Sequence, residues 1–210
     1  MELKQDQRRR AFWLKHLHQW HWISSALCLI GMLLFAATGI TLNHASQIES
    51  KAKVVSQKAQ LPEPLRVILE KEGQQTTGKK PLPSILHDWL LQTWAVDTEQ
   101  REAEWSDGEI YIALTRPGGD GWVSVDLENG KTEYERTDRG WISYFNDLHK
   151  GRNAGATWGW FIDVFAVTCL VFCITGLFLL QIHAGNRPVT WPVVGLGLVI
   201  PLVLLILFIH

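Results

Sequence analysis

Cysteine is scarce in this chain and absent from the part that would most need it. The 210 residues contain three, Cys28, Cys169 and Cys173, and all lie in apolar runs. The polar stretch from 46 to 152 has none, so no disulfide staples it, and no Cys-x-x-Cys-His is present for covalent haem attachment. In lipid or packed protein such thiols act as small apolar residues, although Cys169 and Cys173 stand four apart on one helix face. Nucleotide, flavin and iron–sulfur motifs are missing too, so any electron the chain handles comes from another molecule. A net charge of −1 offers nothing to a nucleic acid backbone.

Charge itself is missing from three runs. Trp22 to Leu42 is twenty-one residues without a charge, roughly 31 Å of helix at about 1.5 Å per residue, the thickness of a hydrocarbon core. Residues 157–182 and 189–209 are the other two, and the second of these carries Pro192 and Pro201, which a helix bundle tolerates. Eleven tryptophans are many for this length, and most gather near the run ends, among them Trp20, Trp22, Trp158, Trp160 and Trp191, where an amphipathic ring suits a membrane interface. The first run is too long for a signal peptide and no small-x-small cleavage site follows it, which makes it a retained anchor. Lys4, Arg8, Arg9, Arg10 and Lys15 precede it and place the N-terminus in the cytoplasm and the polar domain outside.

The expected architecture is a membrane α-helical protein with three transmembrane helices and an inserted small α+β extracytoplasmic domain. Its parts are a basic tail (1–21), a first span (22–43), the domain (44–141), an interfacial helix and bend (142–155), a second span (156–183) and a third (189–210). Within the domain, 46–60 reads as a helical stalk, 65–72 as a short helix, 73–80 as a loop, and Ser84 as the cap of a helix carrying Ile85, Leu86, Trp89, Leu90 and Trp94. The period then changes to two: 109–115, 122–127 and 132–136 read as strands of a three- or four-stranded meander. In the segment 144–152, Asp147, Lys150 and Arg152 are too polar for immersion, while Trp141, Ile142, Tyr144, Phe145 and Leu148 are too apolar for a free loop; a helix lying along the interface fits.

Histidines mark the span ends. His18 and His21 precede the first span, His44 follows it, His149 precedes the second and His183 ends it. The words Leu17-His18, Thr38-Gly39 and His44-Ala45 recur as Leu148-His149, Thr175-Gly176 and His183-Ala184, which suggests an inverted repeat. That repeat brings His44 to His149 at the outer face and His18 or His21 to His183 at the inner face. Paired imidazoles on neighbouring helices suit axial ligation of a haem, so these five are the candidate iron ligands. Gly31, Gly39, Gly159 and Gly176 allow close approach of a macrocycle, and Lys150 and Arg152 can pair with its propionates. A zinc or copper site is the next alternative. Around an ideal helix His18 lies about 80° from His44 and His21 about 140°, but His21 is nearer the depth of His183, so both stay open. His16 belongs to the basic tail, and His87 and His210 read as incidental. Asp163, inside the second span, is an interfacial carboxyl that hydrogen-bonds Trp or Thr, an acceptor that orients a ligand histidine, or a proton site coupled to electron transfer.

Several stretches resemble the PepSY-associated transmembrane proteins: His18-Gln19-Trp20, the TGITLNH of 38–44, the RPGGDGWVSVDLENGKTEYERTDRGW of 116–141, and the LHKGR of 148–152. The resemblance covers about 17–187. It implies a PepSY-type domain on the periplasmic side of a bacterial inner membrane and, as in some relatives, two bis-histidine b-type haems that carry electrons outward to reduce ferric siderophores. The larger reductases of that group have more spans and more than one PepSY-like unit, which leaves room here for a homodimer or a partner subunit. Two functions therefore compete: a redox conduit fed by an electron-donor protein or quinol, and a haem-free membrane-anchored binding or regulatory module.

Overall fold

The computed structural model describes residues 2–48, 51–74, 76–99 and 101–209. Uncharged runs of this length have no water to satisfy their backbone, so they close their own hydrogen bonds as helices. Three such helices are long and apolar enough to cross a membrane. α1 is Glu2–Asn43, so the expected basic tail is not a separate tail but the helical extension of the first span. The second span is α5, Gly155–His183, and the third is α6, Thr190–Phe208. Pro192 falls in the first turn of α6, where its missing N–H costs nothing, whereas Pro201 is interior.

The chain divides into two compact units, Met1–Leu33 with Phe161–His210, and Leu34–Trp160. In the first, the less exposed positions of α1 include His21, Ser24, Cys28 and Gly31, spaced three and four apart as a helix-packing seam requires. A Cβ on Gly31 would strike the Phe165 ring of α5, so the helices meet closely there because glycine has no side chain. α6 buries none of its residues.

The second unit contains a six-stranded antiparallel sheet in the order β1-β6-β5-β4-β3-β2. The strands are β1 Lys53–Gln60, β2 Gly78–Pro81, β3 Glu102–Ser106, β4 Glu109–Ala113, β5 Gly119–Asp126 and β6 Lys131–Asp138. Their inward residues (Ala103, Trp105, Ile110, Ile112, Val123, Val125, Tyr134) join Leu65 and Leu69 of α2 (Glu63–Gly73) and Leu86 and Leu90 of α3 (Ser84–Trp94) in one core. Three expectations are corrected here. Residues 53–60 are a strand rather than part of a helical stalk, because β6 offers an eight-residue antiparallel register. Residues 78–81 add a second unforeseen strand against β3. Pro83, not Ser84, occupies the cap position of α3, and no side chain caps it. β3 is likewise unforeseen, so the sheet has six strands where three or four were expected. The edges are β1 and β2, and their Lys53, Lys58, Lys79, Lys80 and Pro81 discourage pairing with another chain.

α4 runs from Gly140 to Lys150 and ends at Gly151, whose φ of +67° lets the chain turn out of the helix. Its outer side is apolar: Trp141 is 75 % exposed and Phe145 49 %. Its inner side is polar, with Asn146 and Asp147 only 7 % and 6 % exposed. Asp147, too polar for immersion in lipid, is buried in protein, where its Oδ2 accepts the Gly118 N–H at 2.9 Å. The β4–β5 turn can approach because Gly118 has φ +70° and no Cβ to meet Tyr144.

Candidate histidine sites

In the first unit His21 enters a cradle made by α5. Its ring stacks on Phe172 at 4.7 Å and 15°, and its Nδ1 lies 3.1 Å from Thr175 Oγ1. A Cβ on Gly176 would come 3.2 Å from His21 Cε1, so the missing side chain is what seats the ring. In the second unit α4 delivers His149 to a cradle of the same composition on α1. Phe35 lies 4.7 Å away at 41°, Thr38 Oγ1 is 2.6 Å from Nδ1, and a Cβ on Gly39 would stand 3.8 Å from Cε1. Both cradles read Phe-x-x-Thr-Gly, at 35–39 and 172–176. The counterpart of His149 is therefore His21, and the pairing of Leu148-His149 with Leu17-His18 expected from the repeated words is corrected.

The threonine contacts fix the ring tautomers by hydrogen-bond counting. Thr38 Oγ1 lies 2.8 Å from Leu34 O and Thr175 Oγ1 2.6 Å from Val171 O. A carbonyl only accepts, so the single hydroxyl proton goes to it and the oxygen is left to accept from Nδ1–H. This arrangement makes two bonds at each cradle; the opposite tautomer makes one. His18, His44 and His183 reach the same state differently, each donating Nδ1–H to the carbonyl four residues back: Leu14 at 2.8 Å, Ile40 at 3.0 Å and Leu179 at 2.8 Å. All five rings thus use Nδ1 as the donor, and Nε2 enters no hydrogen bond among the described residues. His87 is the opposite case. There the buried Thr98 donates its backbone N–H to Nδ1 at 3.3 Å and its hydroxyl lies at 3.0 Å, so Nδ1 accepts and the proton sits on Nε2.

His18 and His183 face one another with ring centroids 5.8 Å apart and planes at 85°. His44 is exposed in the turn that follows the end of α1. His16 packs on Phe12 within α1, and His210 lies outside the described residues. Lys150 and Arg152 are exposed beside His149. Asp163 is exposed on α5 and enters no hydrogen bond or ion pair among the described residues. The buried Cys28 thiol donates to Ser25 O at 3.9 Å. Among the described residues no group of three or more His, Cys, Asp or Glu is gathered to hold a metal ion, whereas zinc sites use three or four protein ligands. Axial ligation of a haem needs only two imidazoles, and rings with Nδ1–H engaged and Nε2 open fit that donor set.

α4 is braced around His149. Thr41 donates its hydroxyl to Asn146 Oδ1 at 2.6 Å, and Trp158 Nε1–H donates to Leu148 O at 2.8 Å. Asp138 accepts Gly140 N–H at 2.8 Å and pairs with Arg116 at 2.8 Å, while Arg139 pairs with Asp120. The Gly140 N–H first, and then the Arg116 guanidinium, hold the Asp138 carboxyl below the usual aspartate range. Arg116, Gly118, Asp138, Trp141 and Tyr144 border an open recess of 380 Å³. Sequence reasoning noted the repeated Thr38-Gly39 and Thr175-Gly176 words and Asp147 without giving them contacts at the histidines or at α4, and did not single out Asn146; the twice-written Phe-x-x-Thr-Gly was the signal for the threonines.

A family model described as PepSY_TM-like matches residues 12–210. Comparisons with curated proteins and with solved structures give no match.

Proposed function

The chain belongs to the PepSY_TM-like family, and from that membership and the histidine geometry we propose that it is a membrane electron carrier holding two b-type haems through paired histidines. The observation that carries the reading is that in five histidines Nδ1 is engaged with an acceptor oxygen and Nε2 makes no hydrogen bond among the described residues, while at His87 Nδ1 accepts a backbone N–H. His44 and His149 form one ligand pair. His21 and His183 form the other, since His21 is the counterpart of His149 in its cradle and His183, like His44, follows on the cradle's own helix; His18 stands beside His183. When bound, each haem takes up and gives back one electron. Lys150 and Arg152 would pair with propionates, and Asp163, which hydrogen-bonds no ring, would act on a haem only through its charge.

The setting we propose is a bacterial inner membrane, with the N-terminus cytoplasmic and the sheet domain periplasmic. The basic segment Arg8–Arg10 docks an acidic electron-donor protein or a quinol-linked donor. Electrons leave by way of His44 and His149 to a ferric siderophore or another metal complex at the recess beside Arg116 and Tyr144. The protein is then a ferric-chelate reductase or its electron-transfer subunit, working as a homodimer or with a partner.

Absorbance spectra of the purified protein, oxidised and dithionite-reduced, test this directly. We expect a low-spin b-type spectrum, with His149→Ala and His21→Ala each removing one of two haems and His18→Ala removing none. Pre-reduced protein in vesicles should be reoxidised by an impermeant ferric chelate on the domain side. Protein made with ample haem that shows no haem bands would return the chain to a haem-free anchor, in which the Thr–His bonds serve only as interhelical links.

A further inference from the structure

We infer that Thr38 and Thr175 are positioning residues that lock His149 and His21 in the Nδ1–H tautomer, so that each ring presents Nε2 to a metal. Simple helix-to-helix bonding would need only some polar contact at these places. What stands there is more specific. Each hydroxyl spends its one proton on its own helix carbonyl, at 2.8 Å for Thr38 and 2.6 Å for Thr175, and so offers the histidine an acceptor and nothing else. Each ring is held from a second side by the phenylalanine three residues before the threonine, at 4.7 Å in both cases. Each lies beside the glycine that follows, which gives the His21 ring its space at Gly176 and stands in ordinary contact range of His149 at Gly39. The same three residues in the same spacing do this on two different helices for two histidines that have no sequence neighbourhood in common. The other exposed histidines take a helix carbonyl for the purpose, which is available at any helical position; the two half-buried ones take a dedicated side chain from another helix.

The consequence for a bound metal has a sign. A hydrogen bond from Nδ1–H to an acceptor raises the basicity of the ring and favours the more positive metal state. Losing the acceptor should raise the midpoint potential of that centre. It should also weaken metal or haem retention by about 10–100-fold, the usual consequence of deleting a partner of a ligating histidine.

The inference rests on the haem reading for its purpose, but its first test does not need haem. Nitrogen-15 spectra of histidine-labelled full-length protein in detergent, prepared without added haem, report which ring nitrogen carries the proton. We expect His21 and His149 as single Nδ1–H species in the unsubstituted protein. Thr175→Val and Thr38→Val, which keep shape and remove the hydroxyl, should each turn one ring into a mixture of tautomers, and Thr→Ser at the same position should restore the single species. In haem-loaded protein the valine variants should raise one midpoint potential each and the serine variants should return it. Nε2–H rings in the unsubstituted protein would overturn the inference, and that measurement requires no variant to fold. Valine variants with unchanged tautomers and potentials would overturn it as well. Correct tautomers in a protein that takes up no haem would support the lock and sink the haem reading alone.

Discussion

The cradles around His21 and His149 are built from the same three residue types, yet they are supported differently. His21 sits between two long helices, and what fixes its cradle is the packing of α1 on α5 in an apolar seam. His149 sits on a short helix that is tied at many points: Asn146 to Thr41, Asp147 to Gly118, Leu148 O to Trp158, and Asp138 to Gly140. A site between two spanning helices inherits its precision from helix association, which van der Waals contact and interhelical hydrogen bonds drive. A site on an eleven-residue helix has no such source, since a helix that short is marginal by itself. The sheet domain supplies part of it through Gly118 and Asp138, and α1 and α5 supply the rest through Thr41 and Trp158, so the placement of His149 depends on the folding of the domain as well as on the helices.

The largest expected effect breaks that link. Asp147→Ala leaves the buried Gly118 N–H without its acceptor, at a cost of about 1–3 kcal/mol, and frees the β4–β5 turn from α4. Thermal unfolding of the sheet domain should move to lower temperature, and the His149 ring signal should broaden while that of His21 stays sharp. Equal broadening of both would show that the cradles do not differ in the way described.

Substituting the cradle glycines sharpens the comparison. The ring stands 3.2 Å from a would-be Cβ at Gly176 and 3.8 Å at Gly39. The first is tighter than ordinary contact and the second is ordinary. Gly176→Ala should therefore displace His21 and disturb its hydrogen bond to Thr175, whereas Gly39→Ala should leave His149 seated and gain helix propensity of about 1 kcal/mol or less. Ring-nitrogen shifts of the two variants decide it, and a larger change from Gly39→Ala would count against the geometry.

These differences explain what could be read in advance. Spans are legible because a charge-free run of bilayer length has few alternatives, and β4, β5 and β6 because their alternation marks one buried face. β1 was not, since almost every residue of it is exposed and no alternation betrays a strand; only its partner β6 makes it one. The histidines were conspicuous as polar residues at apolar boundaries. Their threonine partners were not, because Thr175 is 154 positions from His21 and a threonine in a spanning helix ordinarily bonds its own backbone. Asp147 was legible as too polar for lipid, but not its burial, because its partner is the backbone of a glycine that no side-chain pattern announces.

Acid should loosen the braced cradle before the helix-packed one. The Asp138 carboxyl is held below its ordinary value by the Gly140 N–H and by Arg116, so the folded state binds its proton less readily than the unfolded one. Its contribution is fully present above the unfolded value of about 3.9 and is lost as pH falls through the lower, folded value. An acid titration followed by Trp141 fluorescence should show α4 loosening only below about pH 4, and Asp138→Asn should flatten that acid limb.

The smallest effect expected concerns Asp163. It is exposed on α5 and enters no hydrogen bond among the described residues, so it reaches a histidine ring only through its charge. A negative charge in surroundings of low dielectric favours the oxidised form of a nearby metal centre, and the interaction weakens with distance. Asp163→Asn should therefore raise one midpoint potential without loss of haem, by less than Thr38→Val or Thr175→Val does, because those variants remove a bond to a ligand ring itself. It should also leave every ring tautomer unchanged, since the carboxylate accepts no ring proton. A redox titration of the three variants side by side orders the effects. A shift from Asp163→Asn that exceeds both threonine variants would make the carboxylate the principal tuner and reduce the hydroxyls to helix contacts, while no shift at all would leave it as an interfacial charge with no part in the redox centre.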